Sequence, residues 1–196
     1  MAGAIWSYAG GSWLHPKATA HLFWENFWCD LLREPAHNGL PNRSSVLLGT
    51  VGFVAISVSL GAFWLEVSRL LPARRQRFVR VAGIISAVAT ALVALVPSDR
   101  FPGVHPPAVL TAGGLGFACG CICSGFALAH FRRMPVFAAS SLALVAAAGT
   151  NLVLYVHAIY FAASETLVLP VSQRLATFAL GVWIVSGLAA ATPRGR

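Results

Sequence analysis

The stretch Ser45–Leu65, SVLLGTVGFVAISVSLGAFWL, contains no charged residue from end to end. A helix needs about 20 predominantly apolar residues to cross the hydrocarbon core of a bilayer, and this stretch supplies them. Working outward, four further segments read the same way: Val79–Val96, Pro107–Ala129, Pro135–Ala163 and Leu167–Ala191. Prolines punctuate them. Pro72, Pro97, Pro107 and Pro135 stand at or near segment ends, and Pro170 and Pro193 bracket the last. Proline is tolerated in a first helical turn and stops a preceding helix. The expected fold class is therefore all-α: an integral membrane bundle of five transmembrane helices.

Composition agrees. Of 196 residues, 57% are hydrophobic and only 10% charged, against about 25% charged in soluble domains. Five spans use most of the chain, which divides into an N-terminal segment (residues 1–44), the transmembrane domain (45–191) and a short tail (192–196). The formal net charge of +8 does not point to nucleic acid, because the arginines cluster in short connections between apolar runs, where membrane orientation accounts for them. All basic residues but Lys17 are Arg and alanine is abundant, a composition suggestive of a high-GC bacterial genome. No basic and apolar signal-peptide pattern opens the chain.

The connections set a direction. Arg69, Arg74, Arg75, Arg77 and Arg80 lie between the first two spans, Arg132 and Arg133 between the third and fourth, and Arg194 and Arg196 after the fifth. The alternate connections hold only Arg100 or no basic residue. The positive-inside rule then predicts an external N-terminus and a cytoplasmic C-terminus in a bacterial inner membrane. Glu25, Asp30, Glu34, Asp99 and Glu165 fall outside on this reading, and only Glu66 inside. Within the N-terminal segment, Ala18–Arg33 has Leu22, Phe23, Trp24, Phe27, Trp28, Leu31 and Leu32 on one broad face and polar residues on the other, which predicts an amphipathic helix at the outer interface. Pro35–Arg43 reads as a turn-rich connection.

Candidate chemistry gathers on the acidic side: His15, His21, Glu25, Cys29, Asp30, His37, Asp99, Arg100, His105 and Glu165, joined by His157 late in span four. Carboxylates and imidazoles together suit a metal or acid–base work, with Asp30, Asp99 and His105 as the catalytic candidates. Their spacing matches no metal motif, and no metal or cofactor is assigned. Arg174 is the sharpest residue. It lies about 10 Å along the last span by helical rise, where a charge costs about 2.5–3.5 kcal/mol unless paired. Asp30, Asp99 or Glu165 is its expected partner, with Gln173 beside it. The expected ligand-binding set is Asp30, Asp99, His105, His157, Glu165 and Arg174.

Cys119, Cys121 and Cys123 alternate around a helix and cannot converge on one ion. Gly116, Gly120 and Ser124 form a small-residue stripe that admits a close neighbour, either within the bundle or from an oligomer or membrane protein partner. Asn151 and Tyr155 share a face at membrane depth, suited to interhelical hydrogen bonds or to the lining of a cavity. No phosphate loop, nucleophile elbow, dinucleotide fingerprint or nucleic-acid motif occurs, and five spans offer no inverted repeat.

The elements YAGGSWL (Tyr8–Leu14), FWENFWCDLL (Phe23–Leu32), NGLPN (Asn38–Asn42) and PSDRFPGVH (Pro97–His105) resemble those of an uncharacterised bacterial group of multi-pass membrane proteins carrying a domain of unknown function. That group is distantly similar to DRAM-type proteins and their lipid-remodelling relatives. The resemblance implies that Cys29, Asp30, Asn38, Asn42, Asp99 and His105 are family positions, without assigning them roles. Such proteins carry another span before the first element, whereas here seven residues precede Tyr8; the expectation is a shortened start or a five-span variant. Three functions follow as expectations. The first is binding of a lipid or amphiphile at the outer face. The others are a metal- or acid/base-dependent hydrolase or transferase, and an accessory subunit of a larger membrane complex.

Overall fold

The computed structural model describes residues 1–161 and 166–192. Its regular structure is entirely helical among the described residues. A short helix, α1 (Ala2–Trp6), precedes five long ones: α2 (Arg43–Val67), α3 (Ala73–Leu95), α4 (His105–Ala129), α5 (Pro135–Phe161) and α6 (Val168–Ala191). Each of the five is long and apolar enough to cross a membrane. Their starts follow from local chemistry. Pro72 precedes α3, Pro106 and Pro107 sit in the first turn of α4, and Pro135 opens α5, where a missing N–H has no helical partner to lose. Arg74, Arg75, Arg77 and Arg80, expected in a connection, instead form the first turns of α3. Arginine is a good helix former, and Arg80 Nε donates to Ser68 Oγ at 3.1 Å, bracing the turn from α2.

Consecutive helices pack side by side, and α2 also meets α6, so the bundle closes on itself. Arginines 69–80, 132 and 133 collect at one end, which we call the arginine end. There the helices are held by a core of Phe63, Trp64, Val67, Val79, Cys119, Cys123, Phe137 and Trp183. Glycines set the approach. A side chain at Gly83 would collide with Trp64, and one at Gly187 would lie 2.9 Å from Phe137. The stripe in α4 is consumed inside the bundle: a Cβ at Gly116 would stand 2.9 Å from Ser86 Oγ of α3, one at Gly120 would touch Leu144 of α5, and Ser124 is buried. It therefore offers no free face to an oligomer. Cys119 and Cys123 are buried while Cys121 is exposed, as helical spacing dictates.

The opposite end is closed differently. Residues 1–42 fill the mouth of the bundle as a plug. The expected helix over Ala18–Arg33 does not form; the segment runs through turns into a single 3-10 turn, Trp28–Leu32. The reason is competition for the backbone. Asn26 Oδ1 takes the Leu22 N–H (2.9 Å) and Asp30 Oδ2 the Phe27 N–H (2.8 Å), bonds that short polar side chains offer in place of helical ones. Leu32 then packs with Phe53, Val93, Ala94 and Ala108, and Gly49 leaves room for it on α2. Trp28 Nε1 reaches Thr177 Oγ1 (3.1 Å), so the plug descends about 14 Å along α6 by helical rise.

Candidate functional site

Arg174 is fully buried, and it organises the plug. Its Nε donates to the Phe23 carbonyl at 2.8 Å and its Nη2 to the Asn26 carbonyl at 2.7 Å. Those carbonyls are available because residues 22–26 are turned rather than helical. The guanidinium also lies 3.6 Å from the centre of the Trp28 ring and 4.8 Å from that of Phe23, a contact worth up to about 2 kcal/mol when desolvated. Carboxylate pairing was the expectation, but Arg174 forms no ion pair with any described carboxylate. Among the described residues, backbone carbonyls and aromatic faces surround its charge. One nitrogen, Nη1, has no partner among the described residues. The neighbouring Gln173 accepts the Trp28 N–H at 3.0 Å, a second peg beside the first.

Asn26 relays this anchor into the plug. It is fully buried, and its Nδ2 donates to the Gly11 carbonyl (2.8 Å) and to Asp30 Oδ2 (3.1 Å). Asp30 is thus tied to Arg174 through Asn26 rather than directly. On its other side, His37 Nε2 stands 3.1 Å from Asp30 Oδ1, but off the line a hydrogen bond requires. Gly10 and Gly11 pass this point at φ +122° and +85°, conformations that favour glycine, and a Cβ on Gly11 would lie 2.6 Å from the Asn38 nitrogen. Asn42 closes the plug onto α2: its Oδ1 accepts the Ala9 N–H and its Nδ2 donates to the Arg33 carbonyl, while its own N–H meets the Glu34 carboxylate.

Burial shifts three groups of the plug. Burial, then the nearby Arg174 charge, lowers His21 to about 4, so its ring is neutral; it rests edge-on to Tyr8, and neither ring nitrogen has a partner among the described residues. Burial, reinforced by the Asp30 charge, pushes the Cys29 thiol up to about 12, which leaves almost no thiolate to act as a nucleophile. Burial also raises Tyr8 to about 12.

The remaining predicted residues that the structure describes make no hydrogen bond to this cluster's side chains. Asp99 Oδ2 accepts the Glu34 N–H at 3.2 Å and so pins the end of the plug to the connection between α3 and α4. His105 opens α4 and closes that connection on itself, its Nδ1 2.8 Å from the Val96 carbonyl. The two share a loop without a hydrogen bond between them, and each is engaged with main chain. His157 is exposed and stacks on Phe161 of its own helix. Asn151 Oδ1 accepts from Ser172 Oγ at 3.0 Å, joining α5 to α6. Glu165 lies outside the described residues. Among the described residues no three His, Cys, Asp or Glu side chains converge as metal ligands would.

A second feature lies on the plug's rim. Leu14, Pro16, Ala18 and Leu22 form the apolar floor of an open depression of about 710 Å³, with Lys17, His15 and Glu25 around it. His15 Nδ1 and Ser12 Oγ contact Glu25 Oε2 at 2.8 and 2.7 Å. Burial opposes ionisation of Glu25, but these bonds outweigh it and hold the carboxyl below its usual range. Sequence reasoning missed Asn26, Thr177 and this depression. A fully buried asparagine carries no signal in a turn-rich segment, and the depression is made by chain folding rather than by any motif. No protein-family model, curated protein or solved structure matches the chain, so its function rests on the chemistry of these groups alone.

Proposed function

We propose that the protein binds a lipid or other amphiphile on its plug, at the extracytoplasmic face of a bacterial inner membrane. The carrying observation is the rim depression, where an apolar floor of Leu14, Pro16, Ala18 and Leu22 adjoins the exposed cation of Lys17 and the polar pair His15–Glu25. An apolar seat beside a few placed polar groups is the common form of a small-ligand site. Two exposed tryptophans, Trp13 and Trp24, stand on the same segment, and tryptophan favours the membrane–water boundary. Orientation is supported by the charge distribution: the arginine end carries the basic residues that the positive-inside rule assigns to the cytoplasm. Arg174 serves this function indirectly. Two of its nitrogens bond the carbonyls of Phe23 and Asn26, so it holds the segment behind the rim in shape.

The test is a titration of nanodisc-reconstituted protein with a fluorescent lysophospholipid. Saturable binding is expected, with loss of at least tenfold in affinity in Leu14→Glu, a partly exposed position whose change leaves the fold intact by circular dichroism. Binding that does not saturate, or that Leu14→Glu leaves unchanged, overturns the proposal.

A further inference from the structure

The outward surface of α5 and α6 carries a groove of about 480 Å³ at the arginine end, lined by Val136, Gly181, Val182, Val185, Ser186 and Ala189. The one polar group in that lining is silenced, because Ser186 Oγ lies 2.7 Å from Ser140 Oγ and also reaches the Trp183 carbonyl. Val136, Val182 and Val185 are all more than half exposed. Gly181 makes the groove's inner end: a Cβ placed there would meet nothing within 4 Å. From Gly181 to Ala189 the groove runs about 12 Å along α6 by helical rise. That approaches half of a hydrocarbon core of about 30 Å, the depth of a single leaflet.

Arg132 and Arg133 stand in the tight turn that leads into Val136, one of the groove's lining residues; the Arg133 and Met134 N–H groups both bond the His130 carbonyl. Both arginines are exposed, and neither pairs with a carboxylate among the described residues. Arg69, by contrast, is already paired with Glu66. An open apolar groove along about 12 Å of α6, next to a turn with two arginines that pair with no described carboxylate, suits an acyl chain joined to a negatively charged head. We infer that this groove is a binding site for an anionic phospholipid of the surrounding leaflet, its chain lying from Ala189 to Gly181 and its phosphate against Arg132 and Arg133. Guanidinium groups suit that partner because they meet phosphate oxygens two at a time. The site is at the opposite end of the molecule from the rim depression and does not depend on it.

Native mass spectrometry of protein released from nanodiscs of mixed phosphatidylglycerol and phosphatidylcholine tests this. Wild type is expected to retain phosphatidylglycerol in preference to phosphatidylcholine. Arg132→Gln with Arg133→Gln should reduce that preference by about fivefold per arginine removed. Gly181→Leu puts a side chain at the groove's inner end, where a Cβ meets nothing within 4 Å, and should cut retention of the bound phospholipid several-fold, with unfolding temperature unchanged. Leu14→Glu, which tests the other site, should leave this retention intact. Equal retention of the two lipids by wild type, or undiminished retention in Gly181→Leu, or an unaltered preference in the double arginine variant, each overturns the inference.

Discussion

The two halves of this bundle solve the same packing problem with different materials. At the arginine end α2 and α6 meet directly. Trp183 stands 5.0 Å from Phe63 and 5.5 Å from Phe137, ring centre to ring centre, and glycines at 83 and 187 allow the approach. At the plugged end the space between the same two helices is filled by non-helical chain, joined to α6 by Arg174, Gln173 and Thr177 and to α2 by Ser45. Irregular backbone at membrane depth is tolerated only where other protein groups satisfy it. The polar residues of α6 near the plug are therefore the condition for having one, whereas at the arginine end Ser186 and Trp183 of α6 bond side chains of a regular helix, α5.

That contrast can be broken most severely at Trp183. The ring is completely buried, and its Nε1 donates to Ser141 Oγ at 2.9 Å. Trp183→Ala removes that bond and leaves a cavity among Phe63, Trp64 and Phe137. A loss of about 3–5 kcal/mol is expected, read as a lowered midpoint in detergent unfolding. The loss should be global, because the core touches all five long helices.

Arg174→Met sharpens the contrast from the other side. Two charge-assisted hydrogen bonds are lost, each worth about 1.5–3 kcal/mol. Relief of a buried charge, about 2.5–3.5 kcal/mol at a helix centre, offsets part of that. The net change should be about 1–3 kcal/mol, smaller than at Trp183 and local in effect. Hydrogen exchange should accelerate over residues 22–33 while the core amides of α2 and α4 keep their protection. Arg174→Lys should not restore the plug, since an ammonium cannot reproduce the guanidinium's two directed bonds and flat stacking on Trp28. Uniform acceleration throughout the bundle would mean that the plug is not a separable element.

The five spans were legible because apolar length and proline punctuation are local properties. Arg174 was legible as an anomaly, since a charge deep in an apolar run demands a partner. Its partners were not legible. They are carbonyls, which every residue possesses, exposed only because Asn26 and Asp30 divert the backbone of a segment whose apolar periodicity reads as helix. The pairing of Asp99 with the Glu34 N–H was hidden for the same reason: a main-chain donor leaves no mark in a sequence. Gly116 and Gly120 announced a close contact, but only the third dimension shows that α3 and α5 provide it.

The most local expected effect is confined to the plug and is driven by pH. His21 has a folded pKa of about 4 against an ordinary value of 6.5, because burial and the Arg174 charge both disfavour its protonated form. Between those values the unfolded segment takes up a proton that the folded one does not. The stabilisation from neutral His21 is therefore complete above about pH 6.5 and is lost as pH falls toward 4. Exchange protection over residues 8–42 should decline across that window while the arginine-end core, which has no comparable group in its aromatic cluster, stays protected. His21→Phe keeps a ring against Tyr8 and removes the proton site, so the decline between pH 6.5 and 4 should flatten. A separate loss should persist at lower pH in this variant. Glu25 is held below its usual 4.5 by His15 and Ser12, and its contribution is lost only as pH falls through that depressed value. If His21→Phe leaves the upper window unchanged, the acid sensitivity of the plug comes from another group, and His21 is a packing residue whose charge state the fold ignores.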